Sequence, residues 1–408
     1  MNVYASKTGF HSALRDEASW AWDQILRNLG QGKHAASEPQ LQRPLLENKT
    51  KAKTSPHTQR TRIYRDLAEC EEQARPAVAA AYRLRAFRMG GLSTAEVPAL
   101  GQQLNQLGFP EEETCLSQWS NREATAKYLE NRRKRLLEVE LDASEYVIDR
   151  RDSATPRVSI IVSIYEAPKP VLDHFIAQLG QLAMVRNRRA EVIFVDSGSP
   201  AHQTEFLESI PGFHQISSLL IRSVRRETIQ TAWNRGIRMS RGEYITCLGV
   251  DEGLTESALD DLAQFLDENA GVDWVTANTI VTQVDAQGHW KRDVLMYSRE
   301  HYTRFSFLND CTYINYVGGL YRRSIHSRFG WYDGTFKGAG DTEFKSRIFP
   351  FIRTVALPKT LGFYFDFPAE RVTNSANIEV EDMRAWYVFR TPGGIEYFMQ
   401  NHDTAAWE

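Results

Sequence analysis

The amino-acid sequence predicts an α/β protein, with a mostly parallel central sheet and helices on both faces, preceded by an α-helical region. From residue 157 onward, short apolar runs rich in Val and Ile alternate with helix-forming stretches, the pattern of strands joined by helical crossovers. Before residue 157 the chain is polar, rich in Ala, Leu, Arg and Glu, and poor in β-branched runs. The sheet is therefore expected in the second half of the chain.

Size and composition exclude several classes of protein. The chain has 408 residues, enough for two or three domains, and its net charge of -3 predicts no general attraction to nucleic acid. No stretch approaches the roughly 18 apolar residues of a membrane-spanning helix, and the N-terminus lacks the pattern of a signal peptide. The four cysteines show no CxxC spacing, which argues against a zinc site or a disulfide framework. We expect a cytoplasmic protein, with peripheral attachment at the inner face of the membrane left open.

The N-terminal part carries no recognisable chemistry. Helix-forming runs return after a Pro- and Lys-containing stretch, and they offer a surface for homo-oligomer formation. The RRKR cluster at 132–135 could touch phosphate, although a solvated helix face is favoured. The predicted organisation is a helix over 1–30, a linker over 31–60, a helical region over 61–156, an α/β domain over 157–375 and a helical extension over 376–408.

The α/β domain is predicted element by element from apolar runs and their spacing. Continuous β-branched runs are typical of strands that are buried on both faces. The strands are expected at VSIIVSI (158–164), EVIFV (191–195), LLIRSV (219–224) and EYITCL (243–248). The helices are expected at VLDHFIAQLGQL (171–182), at TIQTAWNRGIRM (228–239) and from Thr255 onward.

Polar side chains follow three of these strands: Tyr165-Glu166, Asp196 and Asp251-Glu252. Parallel sheets bind ligands at the carboxyl ends of their strands, so these side chains are expected at one edge. Asp196 could accept a hydrogen bond from a nucleobase or a ribose, or could simply form an Asx turn. Asp251 could bind a hard divalent cation through carboxylate oxygen, or could lie in a turn before a helix capped by Thr255.

A second candidate region lies at residues 318–347. Its glycines indicate sharp turns or a close approach of the backbone to another group. Asp341 begins a helix-like run, where it could act as a helix cap or as a general base at the floor of an acceptor pocket. Spacing alone leaves the two interpretations of Asp341 open.

Five motifs, taken together, resemble the inverting family-2 glycosyltransferases of the GT-A fold. The resemblance covers about residues 157–373, and the order and spacing of the motifs make it specific. The motifs are VSIIVSIYE, FVDSGSP, AWNRGIRMSRGEYI, the sequence Gly249-Val250-Asp251-Glu252 in place of an acidic DxDD-like motif, and GGLYRRSIHSRFGWYDGTFKGAGDTEFKSR.

The resemblance implies transfer of a sugar from a nucleotide-sugar donor, with UDP as the default nucleotide, to a hydroxyl of a glycan, a lipid-linked sugar or a protein. It also implies Asp341 as catalytic base and Asp251 as ligand of a Mn²⁺ or Mg²⁺ ion. The family's QxxRW motif is absent, which favours single addition over processive synthesis. The donor side would comprise Ser163, Tyr165, Glu166, Asp196, Arg226, Asn234, Val250, Asp251 and Arg371, and the acceptor side Gly318, Gly319, Trp331 and Gly340.

Two departures from the family pattern keep alternatives open. Gly249 stands where relatives have the first acid of the motif, and Gly340 stands where a glutamate often precedes the base. Gly249 motivates the alternative of a catalytically silent GT-A domain that binds nucleotide or glycan as a scaffold. A nucleotidyltransferase is disfavoured because the loop IYEAPKP after the first strand lacks glycine.

Overall fold

The structure, a computed structural model, describes residues 56–88, 92–93, 95–118, 122–200, 202–284, 290–296, 317, 319–348, 352–366, 380–381 and 384–385. The predicted helix over 1–30 and most of the predicted linker lie outside these residues. So does most of the predicted C-terminal extension. Of the helices that are described, none is both long enough and apolar enough to cross a lipid bilayer.

The region before the sheet contains five helices among the described residues, and they pack through small and branched apolar side chains. Val380, from the C-terminal end of the chain, joins the same buried cluster as Ala77, Leu84, Leu104 and Leu116. The helices are α1 (Pro56–Glu71), α2 (Pro76–Arg88), α3 (Glu96–Gln106), α4 (Pro110–Gln118) and α5 (Arg122–Leu137).

One segment of the predicted helical region is a strand. Residues Ser144–Arg150 form β1, which pairs antiparallel with the strand at Ser218–Ser223. Within β1, Ile148 packs against the core while Val147 is 47% exposed, the alternation expected of an edge strand with one buried face. The helical region is therefore joined to the sheet by a strand that the sequence analysis assigned to helix.

The α/β prediction is confirmed. The strands described form one sheet in the order β1-β4-β3-β2-β5-β9-β7-β10-β6, with β8 paired to β7. β2 lies between β3 and β5 and is parallel to both, so the chain crosses to the other side of β2 when it reaches β5. Such a switch in strand order opens a crevice at the carboxyl ends of the strands. The further strands are β2 (Val158–Ile164), β3 (Ala190–Asp196), β4 (Ser218–Ser223), β5 (Tyr244–Leu248), β6 (Glu252–Leu254), β7 (Trp274–Val284), β8 (Trp290–Met296), β9 (Leu320–Arg322) and β10 (Thr354–Asp366).

Helices cover both faces of this sheet, which explains the continuous apolar runs of its central strands. In β2, Val158, Ile160 and Val162 belong to one core cluster and Ile161 to the other. The first cluster takes side chains from α6 (Lys169–Gln181), α7 (Ala183–Arg186), α8 (His202–Ser209) and α10 (Ala258–Glu268). The second takes them from α9 (Ile229–Met239), α11 (Ile325–Phe329) and α12 (Gly340–Ile348).

The segment after β5 differs from the prediction. Instead of a turn leading into a helix capped by Thr255, residues Glu252–Leu254 form β6, which pairs antiparallel with β10. The Thr255 N–H donates to the carbonyl of Leu361 in β10, and α10 begins only at Ala258. The pairing joins segments more than 100 residues apart, so nothing local in the sequence indicates it.

Candidate functional site

Several of the predicted donor-side residues follow β2, β3 and β5, whose carboxyl ends lie at one edge of the sheet. Ile164, the last residue of β2, pairs in register with Asp196, the last residue of β3. The Ser197 N–H donates to the Ile164 carbonyl at 2.9 Å, which holds the two strand ends together. Ser163 is half-buried one position before the end of β2. The sheet therefore assembles the loops that follow these strands, as the sequence pattern predicts.

Asp196 organises one of these loops. Its side chain is buried; Oδ1 accepts the Ser199 N–H at 2.8 Å, and Oδ2 accepts from Nη1 of Arg222 at 2.8 Å. The first contact is an Asx-type turn, and the second neutralises the buried charge. The turn interpretation is thus realised, and a contact from Asp196 to a nucleobase or a ribose stays a prediction.

Tyr165 and Arg226 form an exposed platform beside this loop. The Arg226 guanidinium lies 4.0 Å from the centre of the Tyr165 ring, and Tyr165 is 37% exposed. Glu166 has a φ of 46°, and its N–H donates to Ser199 Oγ at 3.0 Å. Gly198 has a φ of 70°, and a Cβ there would lie 2.6 Å from the Arg225 carbonyl carbon. Only glycine therefore lets the loop after β3 reach the segment that carries Arg226.

The departure at Gly249 has a clear geometric reason. A Cβ on Gly249 would lie 2.5 Å from Oδ1 of Asp251, so the glycine leaves room for the Asp251 carboxylate. The Gly249 N–H donates to Oε2 of Glu252 at 2.7 Å, and the Glu252 N–H donates back to the Gly249 carbonyl at 3.1 Å. Glu252 therefore closes the turn. Val250, half-buried, packs against the core below it.

The donor set around Asp251 fits only a cation that a ligand helps to hold. Among the residues the structure describes, no group of three or more His, Cys, Asp and Glu side chains could hold a metal ion. Mg²⁺ commonly takes one or two protein carboxylates and completes its octahedron with substrate phosphates and water. The half-buried carboxylate of Asp251 suits that mode of binding.

Asn234 contacts the acceptor-side loop. Its side chain is buried; Nδ2 donates to the Tyr332 carbonyl at 2.8 Å, and Oδ1 accepts the Tyr332 N–H at 2.9 Å. The neighbouring Arg235 is paired with Glu227 and donates to the Asp142 carbonyl at 2.8 Å. Asn234 thus ties α9 to the loop before α12, a contact that the resemblance did not imply.

The other acceptor-side residues lie where backbone segments come close together. Trp331 is half-buried, stacks on His326 at 5.1 Å between ring centres, and donates its N–H to the Leu136 carbonyl at 2.8 Å. A Cβ on Gly319 would lie 2.8 Å from Nε1 of Trp274, so a glycine is needed there. Gly318 and Arg371 lie outside the described residues.

Asp341 lies in the first turn of α12, with 43% of its side chain exposed. Its Oδ2 accepts from Nζ of Lys345 at 2.8 Å, and the Lys345 side chain is itself 5% exposed. The helix begins one residue earlier, at Gly340, so Asp341 is not the residue that precedes the helix. A solvent-accessible carboxylate next to a buried cation can accept a proton from an approaching hydroxyl.

Gln230 occupies the place that a side chain at Gly340 would take. A Cβ on Gly340 would collide with Cγ and Cδ of Gln230 and lie 2.6 Å from its Nε2. Gln230 is 1% exposed, and its Oε1 has no hydrogen-bond partner among the described residues. Sequence reasoning missed Gln230 because position 230 is remote from position 340 in the chain.

A buried ion cluster beneath Asp341 was also missed. Arg132, in α5, donates from Nη2 to Glu343 Oε1 at 2.6 Å and to Asp333 Oδ2 at 3.0 Å, and Arg347 donates to Glu343 at 2.8 Å. Burial would raise the pKa of Glu343, but Arg132 and Arg347 outweigh it, and the net shift is downward. In the RRKR cluster, Lys134 and Arg135 are exposed to solvent, as expected, whereas Arg132 is buried.

A family model described as glycosyl transferase family 2 matches residues 159–330. The match spans β2 to α11 and includes the loops of the donor side. Over these residues it confirms the resemblance inferred from the motifs, and it agrees with the expected fold class. No curated protein sequence matches the chain significantly.

Solved structures give more distant similarities. S. aureus TarS is 17% identical over 52% of this chain and 37% of that chain, with a TM-score of 0.41. TarS 1-349 in complex with UDP-GlcNAc is 16% identical over 60% of this chain and 71% of that chain, with a TM-score of 0.44. The Pyrobaculum calidifontis mannosyltransferase PcManGT, in complex with GDP-Man and Mn²⁺, is 14% identical over 71% and 85%, with a TM-score of 0.40. The chain thus spans little more than a third of the first TarS chain, and these similarities assign it no donor or acceptor.

Proposed function

Because residues 159–330 match the glycosyl transferase family 2 model, we propose that the protein transfers a sugar from a nucleotide-sugar donor to an acceptor hydroxyl with inversion at the anomeric carbon. The observation that supports the proposal is the pairing of β2 with β3 and β5, all parallel, so that the segments carrying Tyr165, Asp196 and Asp251 leave the sheet at the same edge. A UDP-sugar is the proposed donor, on the resemblance alone.

The donor-side residues offer complementary chemistry for a nucleotide diphosphate. The exposed Tyr165 ring offers a flat apolar face for a base, and the adjacent Arg226 guanidinium offers a cation for phosphate oxygens. The loop closed by Asp196 keeps backbone and hydroxyl groups of residues 197–199 beside this platform. Together these groups would bind the donor at the crevice where the strand order switches.

On the acceptor side, Asp341 is the proposed general base. A hydroxyl is a weak nucleophile and must lose its proton as it attacks. The proton would pass to the Asp341 carboxylate while the acceptor oxygen bonds to the anomeric carbon and the bond from that carbon to the diphosphate oxygen breaks. One displacement of this kind inverts the anomeric centre and needs no covalent enzyme intermediate. Lys345, paired with Asp341, would fix the orientation of the carboxylate.

Asp251 would hold a divalent cation, Mn²⁺ or Mg²⁺, together with the diphosphate of the donor. Such an ion supplies positive charge that stabilises the departing diphosphate. The turn closed by Glu252 and the space left by Gly249 fix the position of the Asp251 carboxylate for this contact.

The acceptor is proposed by class: a hydroxyl of a glycan, a lipid-linked sugar or a protein, within polysaccharide or glycoconjugate biosynthesis. The absence of a QxxRW sequence supports addition of a single sugar per encounter.

A calorimetric screen of sugar nucleotides, with and without Mn²⁺, tests the donor side. Binding of one nucleotide class stabilises the folded protein and identifies the donor. If no sugar nucleotide binds, the proposed function is wrong.

Asp341→Asn tests the acceptor side. The substitution keeps the size of the side chain and removes the base, so we expect transfer to fall by about 10²-fold or more with unchanged nucleotide affinity. Asp66→Asn is the matched control, since Asp66 also pairs with a cation one helical turn away, in α1 (Arg62–Asp66, 4.0 Å), and should leave transfer unchanged. Full activity in Asp341→Asn excludes Asp341 as the base, and nucleotide binding without any transfer by the wild type indicates a silent binding domain.

A further inference from the structure

Helix α5 contributes a side chain to the segment that carries Asp341. Arg132 is 5% exposed and lies between two carboxylates, Asp333 and Glu343. Asp333 is in the loop before α12, and Glu343 is in α12, two residues after Asp341. A single guanidinium from the N-terminal helical region thus ties the loop to the helix.

Further contacts join the same two regions. The Trp331 N–H donates to the Leu136 carbonyl of α5, and Gly330, with a φ of 82°, would place a Cβ 2.6 Å from that carbonyl oxygen. Farther along the loop, Arg384 donates to Thr335 Oγ1 at 2.9 Å and pairs with Glu112 of α4 at 2.7 Å. The loop therefore contacts α5 directly and is linked to α4 through Arg384.

The chemistry of the cluster favours positioning over simple packing. Burial of a guanidinium and two carboxylates costs desolvation free energy, and apolar side chains of similar volume often stabilise a protein as well or better. The cluster adds a geometric constraint. The planar guanidinium of Arg132 donates to both Asp333 and Glu343, and its fixed N–H directions restrict how the two carboxylates lie relative to each other. That arrangement sets where the first turn of α12 lies.

We propose that Arg132 is a positioning residue for Asp341, so that the helical region at residues 56–137 belongs to the catalytic unit and is not a separate docking module. The inference rests on the proposed role of Asp341 as the base. Arg132 touches neither donor nor acceptor and acts through the loop at 333–340 and through Glu343.

The test compares Arg132→Lys with Arg133→Lys in the 408-residue chain. Lys keeps the positive charge but loses the fork of N–H groups that spans two carboxylates. Arg133 is the matched control because it is the next residue of α5, is 36% exposed, and has a weak contact to Glu130 at 3.9 Å. Hydrogen exchange at residues 333–348 is measured first because it does not depend on activity, and kcat and nucleotide affinity are measured on the same samples.

For Arg132→Lys we expect faster exchange at residues 333–348, a kcat lower by 10-fold to about 10²-fold, and unchanged nucleotide affinity, because a displacement of about 1 Å can cost that much in rate. Arg133→Lys should match the wild type in all three measurements. Unchanged exchange and unchanged kcat in Arg132→Lys overturn the proposal, and so does an equal loss of nucleotide affinity, which would indicate a general structural defect. If the wild type transfers no sugar, faster local exchange with preserved nucleotide affinity still supports Arg132 as the residue that holds the loop against α12. In that case only the role of Asp341 as the base is rejected.

Discussion

At the scale of single residues, Gly249 shows how a missing acid can be a steric requirement. The Asp251 carboxylate occupies the space that a side chain on Gly249 would need, and Glu252 bonds to the Gly249 N–H. The position therefore supports the two acids that follow it. An acid at position 249 would compete with Asp251 for space.

We therefore predict that Gly249→Asp lowers nucleotide affinity in the presence of Mn²⁺ and does not add a metal ligand. The new Cβ would lie 2.5 Å from Asp251 Oδ1, so the Asp251 carboxylate must move. Calorimetric titration with UDP and Mn²⁺ measures the effect, and we expect a loss of 10-fold or more, equivalent to about 1.4 kcal/mol. Gly271→Ala is the control, since the nearest atom to a Cβ there lies 3.9 Å away. Tighter binding of UDP and Mn²⁺ by Gly249→Asp would contradict this prediction.

The environment of His326 leads us to predict that the folded protein loses stability at acidic pH. Its Nδ1 faces the Gly330 carbonyl at 3.2 Å, so Nδ1 carries the proton and Nε2 accepts from the Tyr321 hydroxyl at 3.1 Å. Burial is the main cause that lowers the pKa of His326 to about 3; the bond to the Gly330 carbonyl opposes this shift, and the positive charges of Arg347 and Arg323 contribute to it. The imidazole is therefore neutral in the folded protein at neutral pH.

The unfolded chain binds a proton at this histidine near pH 6.5, so the stability contributed by neutral His326 is complete above that pH and is lost as the pH falls toward 3. We predict a decrease in the free energy of unfolding of up to about 1.4 kcal/mol per pH unit from this residue. Urea unfolding at pH 7.5, 6 and 5 measures the slope for the wild type and for His326→Gln. Identical slopes in the two proteins would show that His326 binds its proton equally well in the folded and the unfolded chain, which contradicts the prediction.

Residues differ in how far the sequence predicts them. Tyr165 and Asp196 could be predicted because each directly follows an apolar run, and Asp251 because it lies three residues after one; the parallel sheet then predicts their common edge. Gln230 and Arg132 could not, because each meets its partner more than 100 residues away in the chain. Asn234 was predicted at the right place in α9, but its contact with Tyr332 depends on a loop whose path only the folded chain defines.

At the scale of elements, α9 approaches the sheet unusually closely. A Cβ on Gly236 would lie 2.6 Å from Cγ2 of Ile161 in β2 and 3.3 Å from Cγ2 of Val195 in β3. On the opposite face, Gly180 in α6 has no atom within 4 Å of an added Cβ. Close packing against the sheet therefore requires a glycine at position 236, whereas no such contact requires one at position 180.

We predict opposite effects of alanine at these two glycines. Gly236→Ala should reduce the free energy of unfolding by about 1–3 kcal/mol, because overpacking displaces α9 from the sheet. Gly180→Ala should raise it by up to about 1 kcal/mol, since alanine restricts the unfolded chain and fits the helix. Urea unfolding of the two variants gives both values, and a neutral Gly236→Ala would mean that α9 can shift without cost.

The elements whose pattern is local were predicted to within a few residues: β2 to β5 and α9 lie where their apolar runs lie. The strands after β5 were not predicted, and neither was β1. Of these, β1 and β6 are edge or short strands that exist through pairing with β4 and β10. Strand pairing over long sequence separations leaves little trace in the local sequence.

At the scale of the whole molecule, two consecutive residues, Val380 and Glu381, contact both the helical region and the loop before α12. Val380 packs in the apolar cluster of the helices, while the next residue, Glu381, accepts the N–H groups of Lys337, Gly338 and Ala339 at 2.8 to 3.0 Å. Arg132 makes a second connection, from α5 to α12. The loop before Asp341 is thus held by α5 on one side of the chain's sequence and by Glu381 on the other.

We predict that the helical region and the α/β domain unfold together. Far-UV circular dichroism reports mainly the helices, whereas the fluorescence of the nine tryptophans includes Trp233, Trp274 and Trp331 around the second core cluster. Urea titrations followed by the two probes should give the same midpoint, as expected of one cooperative unit. Two separated midpoints would show that the helices form an independent domain.

The side chain of Gln230, in α9, fills the space that a side chain on Gly340, at the start of α12, would need. An acid added at position 340 would find its place taken, and a smaller residue at position 230 would leave a hole beside Asp341. The residues at positions 230 and 340 therefore have to change together. A substitution at position 340 alone, to the residue of a relative, would leave Gln230 in the space that the new side chain needs.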